Sequence, residues 1–219
     1  MATQSPRTQT GLDEFYVDTP VVRALIDEVR VAMADHPDDA AAGLESLRLT
    51  FARLLIDQHW LPEPFADVCA TSAMGGGIGQ WLLFRSGDRS LSLFSLVIPA
   101  GSETPVHDHL AWGLVGLYRG EQEETVYRRI DDGQVNDHAT LEVVEVRPLH
   151  VGDFYVLLPP DGDIHAVRTT SPGASVSIHL LGNDAGCVWR HAFAPTEKRV
   201  RSFRSGYSNV ACVETSPGA

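Results

Sequence analysis

The sequence predicts a mainly β protein: a barrel of short strands preceded by a small helical extension. Three observations carry this. From about residue 61 onward, apolar and β-branched runs of strand length alternate with Gly, Pro, Asn and Asp clusters. No helical repeat of apolar residues separates these runs, so a βαβ pattern is excluded and a sandwich or small barrel remains. Before residue 60 the apolar residues recur at helical spacing instead.

In chain order, residues 1–15 are polar and are expected to be mobile. In DTPVVRALIDEVRVAM, Thr19 can cap a helix and Pro20 fits its first turn. Val22, Leu25, Ile26, Val29 and Met33 then share one face. ADHPDD interrupts, and a second helix is expected over 39–59, with Leu44, Leu47, Phe51, Leu54 and Leu55 on one side. LPEP ends it. The strand-like runs follow: QWLLFRSG, SLSLFSLVIPAG, WGLVGLYRGEQEETVYRRI, LEVVEVRPL, FYVLLPP, HAVRTTS and ASVSIHLLG. The turns between them include SGDRS, DDGQVND and SPGAS. There is no internal repeat and no low-complexity tract. The division expected is 1–15 as a flexible N-terminus, 16–60 as helices packed on the barrel, and 61–219 as barrel and C-terminal tail, all one structural domain.

The 219 residues suffice for a substantial core without staples, and 43% of them are hydrophobic, an ordinary share for a globular protein. The formal net charge is -12. An acidic surface repels phosphate backbones and anionic lipid, so neither a nucleic acid nor a membrane is expected as a partner. The first fifteen residues carry no apolar stretch of the secretory type, and no apolar run approaches spanning length. The cysteines are three, Cys69, Cys187 and Cys212, without CxxC spacing. That sparse, odd set argues against a disulfide framework and against a structural zinc site. A reducing cytoplasm is the expected location. The sequence does not specify an oligomeric state.

The chemistry concentrates in TPVHDHLAWGLVGLYRG, residues 104–120. His107 and His109 stand two apart, so on a strand both point to one face. A third histidine, His165, closes PDGDIHAVR. Two imidazoles plus a third from another strand make an open metal site of the catalytic kind. Neutral imidazole suits iron, copper, nickel and zinc alike. His36, His59, His138, His150 and His191 lack partner spacing and are assigned no chemistry.

A glycine, five residues and His-x-His, followed later by Pro-x-Gly-x-x-His, resemble the two signature motifs of the cupin superfamily, whose fold is a double-stranded β-helix barrel. Gly113 stands where many cupins carry a glutamate ligand, which leaves three histidines. Over about 60–209 the chain resembles the thiol dioxygenases of that superfamily, the cysteine dioxygenase type, and most of all its bacterial 3-mercaptopropionate branch. The likeness rests on TPVHDHLAWGLVGLYRG, GDIHAVR, SVSIHLLG and FRSGYSN. It implies a mononuclear Fe(II) on His107, His109 and His165, with a small thiol and O2 as substrates and a sulfinic acid as product.

Further roles come residue by residue from the same resemblance. SVSIHLLG matches a strand that holds a Ser-x-His-x-Tyr chain near the iron; Ser177 and His179 are present, and Leu181 replaces the tyrosine. Arg190 in GCVWRHAF matches an arginine that holds the substrate carboxylate, a task suited to a guanidinium fork. Gln80 stands where the cysteine enzymes carry arginine and the mercaptopropionate type glutamine, which disfavours cysteine. Gly113 also stands where animal cysteine dioxygenases carry a cross-linking cysteine, so no thioether cofactor is expected. Tyr207 is a candidate to line the pocket, whereas Trp81 and Trp112 read as packing. Two alternatives stay open: another metal-dependent cupin enzyme, such as a carbon–carbon-cleaving dioxygenase or an isomerase, and a non-catalytic cupin that binds a small ligand.

Overall fold

The computed structural model describes residues 11–70 and 74–213. Twelve strands are present among them: β1 (Glu14–Phe15), β2 (Gly79–Arg85), β3 (Ser92–Ile98), β4 (Val106–His107), β5 (Gly113–Arg119), β6 (Gln122–Arg129), β7 (Leu141–Leu149), β8 (Phe154–Leu157), β9 (Ile164–Thr169), β10 (Ser175–Leu181), β11 (Arg190–Ala194) and β12 (Arg199–Phe203). They form two six-stranded antiparallel sheets. One has the order β1-β2-β3-β10-β5-β8 and the other β12-β11-β4-β9-β6-β7. The fold class is therefore the mainly β one expected, with helices confined to the N-terminal side.

The helices follow the sequence with one correction. α1 (Pro20–Asp35) begins as expected: Thr19 Oγ1 accepts from the Val22 N–H at 3.3 Å, and Pro20 occupies the first turn. The single helix expected over 39–59 is instead two, α2 (Ala40–Ser46) and α3 (Arg48–Ile56). Gly43 and Ser46 are weak helix formers. Ser46 Oγ donates to Gly43 O, and the Leu47 N–H reaches Leu44 O, tightening the last turn of α2. The break keeps Leu44, Leu47, Phe51, Leu54 and Leu55 all buried.

These side chains pack on the outer face of the first sheet. They share one cluster with Leu93 and Val97 of β3, Leu114 and Tyr118 of β5, and Ile178 and Leu180 of β10. Each large apolar side chain buried there contributes about 1.5–3 kcal/mol. The approach is close: a Cβ on Gly116 would lie 2.3 Å from Leu55 Cδ1, so only glycine lets α3 rest on β5. Strand alternation sends the opposite set inward. Phe94, Leu96 and Ile98 of β3, Val115 and Leu117 of β5, and Leu181 of β10 meet Leu149 and Val167 of the second sheet.

Residues 1–10, two thirds of the segment expected to be mobile, lie outside the described residues. Glu14 and Phe15 pair with Arg85 and Phe84 of β2. The cysteines also depart from expectation. Cys187 and Cys212, 25 residues apart, form a disulfide. The chain after β12 runs back along β2 and delivers Cys212 to the loop that holds Cys187, a return path that residue spacing does not reveal. No helix among the described residues is long and apolar enough to cross a membrane.

Candidate metal centre

His107 and His165 are direct register partners between β4 and β9, which brings two imidazoles together across the sheet. His109 arrives differently from the strand geometry expected. β4 ends at His107, and the chain then turns, with Leu110 at φ 56°. The Asp163 carboxylate pins this turn: Oδ1 accepts from the His109 N–H at 2.9 Å and Oδ2 from the Leu110 N–H at 3.0 Å. The convergence expected from the spacing is present, but an anchored turn produces it. The three rings lie 4.8–4.9 Å apart by centroid, and one nitrogen from each falls within 4.8 Å of the others.

The second nitrogen of every ring faces an oxygen. His107 Nδ1 is 2.8 Å from Pro105 O, His165 Nδ1 is 2.6 Å from Glu124 Oε1, and His109 Nδ1 is 3.3 Å from Asp163 Oδ1. As N–H donors to these acceptors, the three rings keep their Nε2 lone pairs for an ion, the usual arrangement behind metal-bound imidazoles. Burial holds His107 and His109 well below the ordinary histidine pKa, helped by the positive Arg190 nearby. Burial pushes Glu124 up, but its bonds from His165 and Arg147 outweigh this and keep it below its ordinary value. The donor set is thus oriented and buried, and it fits a divalent transition metal.

Arg190 reaches the same interior from β11, whose Ala192 pairs with His107. It is only 4% exposed. Nη1 donates to Asp108 O at 2.7 Å and Nη2 to Ser205 Oγ at 2.8 Å, the plane lies over Phe203, and Nε has no partner. Burial lowers its pKa to about 10, so it stays a cation. Among the described residues it forms no ion pair; the nearby Asp108 carboxylate is committed to the His191 N–H and Nδ1. Asp108 and Asp163 attract it from a distance without touching it, so a bound carboxylate would give this buried cation a direct partner.

On the facing sheet, Ser177 Oγ lies 2.9 Å from His179 Nε2, and Phe94 stacks on the His179 ring at 4.6 Å. Burial, with the fields of His165 and Arg190, holds His179 well below its ordinary pKa. Its Nδ1 is unpartnered, as is Nε2 of Gln80, a residue 3% exposed opposite Leu96. Leu181 is fully buried and stands in register with Gly113. A Cβ at Gly113 would lie 2.2 Å from Leu181 Cδ2, so Leu181 fills the space a larger residue there would need. Tyr207 contributes its ring, edge-on to Phe94 at 6.0 Å, while its hydroxyl donates to Asp184 at 3.0 Å. Trp81 and Trp112 are packing, as expected: Trp81 Nε1 donates to Asp67 O and Trp112 lies against Gly182.

Four supporting residues escaped the sequence reading: Glu124, Asp163, Asp108 and Ser205. Asp163 left a usable signal, since it lies inside the Pro-x-Gly-x-x-His segment two residues before His165. Glu124 is 41 residues from the histidine it holds, and only the β6–β9 register joins them.

No family model matches the chain. Solved structures resembling it are largely cupin-domain proteins. An RmlC-like cupin from Shewanella frigidimarina is 18% identical, with a TM-score of 0.38, over 57% of this chain and 90% of that one. Peruvianin-I, a cysteine peptidase from Thevetia peruviana latex, is 20% identical with a TM-score of 0.41, over 57% and 72%. A structure of oxalate oxidase is 18% identical with a TM-score of 0.34, over 44% and 43%.

Proposed function

We propose that the protein is a metal-dependent cupin enzyme, specifically an Fe(II)-dependent thiol dioxygenase. Its reaction converts a small carboxylate-bearing thiol of the 3-mercaptopropionate kind, with O2, to the sulfinic acid. The observation that carries this reading is the pairing of a buried three-histidine cluster with a buried guanidinium on the neighbouring strand that makes no direct ion pair among the described residues. A substrate with a soft donor at one end and a carboxylate at the other suits both.

His107, His109 and His165 would hold the ion through Nε2. A ferrous ion supplies the redox chemistry that lets dioxygen react with a thiolate. The chain supplies the rest. Arg190 receives the carboxylate on Nε and the N–H bonds left free beside Asp108 O and Ser205, which fixes the length and direction of the substrate. Gln80 offers a free amide donor in the same interior. Phe94, Val115, Leu157 and Leu181 exclude water. His179, anchored by Ser177, can accept or deliver a proton at Nδ1. No nucleic acid, membrane or protein partner enters this proposal.

Leu181 favours a second reading, another metal-dependent cupin reaction, because it removes the hydroxyl that thiol dioxygenases carry there. Elemental analysis followed by oxygen uptake on 3-mercaptopropionate, cysteine, cysteamine and mercaptosuccinate separates the two. Iron-loaded protein should consume oxygen fastest with a carboxylate-bearing thiol and yield a sulfinate. Bound metal without thiol-dependent oxygen uptake sinks the dioxygenase reading and leaves the second. Absence of bound metal after loading sinks both.

A further inference from the structure

We infer that the Cys187–Cys212 bond is a thiol-exchange site that small thiols open, releasing a C-terminal strap that contacts Arg190, Phe94 and Gln80 of the proposed site. The choice of small thiols as the reagent rests on the function proposed above; the latch rests on the structure of the strap itself.

The strap is the segment 204–213, and its attachments reach the residues of the proposed site one by one. Ser205 Oγ accepts from Arg190 Nη2. The Tyr207 ring abuts Phe94, which stacks on His179. Ser208 exchanges two hydrogen bonds with the Gln80 backbone, at 3.0 and 2.6 Å. The Asn209 side chain accepts from the Leu82 N–H and donates to Leu82 O, both at 2.9 Å, imitating a neighbouring strand. It can do so because β1 pairs only with Phe84 and Arg85, leaving the first half of the β2 edge open. Beyond Asn209 the disulfide is the one covalent tie to the barrel, beside a 3.5 Å contact from the Cys212 sulfur to Gly186 O.

The bond is placed for exchange. Both cysteines are half-buried, and Ala211 and Val213 flanking Cys212 are exposed, so a thiolate in solution can approach. Arg85 Nη1 lies 3.9 Å from Cys187 Sγ, while also serving Asp184 and Glu14. A neighbouring cation stabilises the departing thiolate, so Cys187 is the leaving group and Cys212 the site of attack. A thiolate RS⁻ bonds to Cys212 Sγ, and the Sγ–Sγ bond breaks. Cys187 leaves with the electron pair and takes a proton from water. A second RS⁻ attacks the R-bearing sulfur of the mixed disulfide, giving RSSR and the Cys212 thiolate. The two electrons come from the two small thiols. What then holds the strap is the paired hydrogen bonds of Ser208 and Asn209, the Gly206–Gly186 bond and the Tyr207 contacts, without the covalent limit on chain freedom past Asn209.

Iron-loaded, full-length protein should be titrated with 3-mercaptopropionate. New thiols are trapped by alkylation and located by mass spectrometry, and hydrogen exchange is followed in 79–83 and 204–213. The expected result is loss of the 187–212 link together with faster exchange in both segments. KM for 3-mercaptopropionate should rise about tenfold, the effect of loosening one bond to a charged group, with kcat nearly unchanged. Cys212→Ser should show the same exchange and KM without added thiol, and Cys187→Ser serves if that variant folds poorly. A link that survives excess thiol, or that opens without faster exchange in the strap, overturns the inference. A protein whose link opens but which consumes no oxygen with any thiol would overturn the dioxygenase reading and leave the latch standing.

Discussion

Replacing Arg190 by alanine removes the guanidinium that the proposed substrate needs, and the structure sets the size of the effect. Arg190 is buried, with Nη1 on Asp108 O, Nη2 on Ser205 Oγ and Nε free. A carboxylate received there gains charge-assisted bonds in a site with little competing water. Loss of such a contact costs about 1.5–3 kcal/mol, roughly ten- to a hundredfold in kcat/KM. Oxygen uptake should therefore show the Michaelis constant for 3-mercaptopropionate rising by that factor in Arg190→Ala. Cysteamine has no carboxylate and should change little. Arg190→Lys should recover only part of the loss, because a point charge cannot make two directed bonds while still serving Asp108 O and Ser205. The alanine variant also frees two buried acceptors, so its melting temperature must be measured beside the kinetics. Equal losses on cysteamine and 3-mercaptopropionate would refute the reasoning: Arg190 would then be a brace between β11 and the strap, and the substrate class would lose its support.

His109→Ala should abolish metal content and activity together while the fold survives, by elemental analysis and circular dichroism; full metal occupancy would refute the three-histidine site. Leu181→Tyr restores a hydroxyl beside His179 and should change turnover on 3-mercaptopropionate or the preferred thiol; a variant matching the parent on every thiol would deny the Ser177–His179 pair a catalytic part. Metal-stripped protein should lose stability as the pH falls below about 6.5. His107, His109 and His179 are held neutral in the fold, so the unfolded chain binds protons the folded one refuses, each worth up to about 1.4 kcal/mol per pH unit. A flat melting temperature from pH 7.5 to 5.5 would contradict their burial as neutral groups.

What the sequence revealed was local. α1 was legible because its cap, first-turn proline and apolar face lie within sixteen residues. β2, β3, β5 and β7–β10 were legible as strand-like runs and β6 only as the continuation of the β5 run, whereas β1 and β4 have two residues each. β11 and β12 are short and rich in arginine and histidine, which hid them. The histidine triad was legible because His107 and His109 stand two apart and His165 sits in a motif of its own. Its supports were not, since Glu124 meets His165 only through sheet register. The disulfide was hidden for the same reason: an odd cysteine count said nothing about a strap that doubles back on β2.

Gly113, which stands where animal cysteine dioxygenases carry a cysteine, and Leu181, which stands where the family tyrosine is expected, are coupled in space. They are cross-strand partners on β5 and β10, and the space a side chain at 113 would occupy already holds the Leu181 methyl. A large residue at either position therefore dictates the other. Gly113→Cys alone should be destabilising by about 1–3 kcal/mol, since its Cβ would also lie 2.6 Å from Leu180 O, which is backbone and cannot swing aside. Leu181→Tyr alone keeps the glycine and can send its ring across the strand. Leu181→Ala should relieve part of the Gly113→Cys cost by removing the methyl, leaving the clash with the carbonyl. Thermal melts of the two single variants and the double variant give the coupling directly. Strict additivity would mean that the two positions do not share a space, and the glycine would then need another explanation.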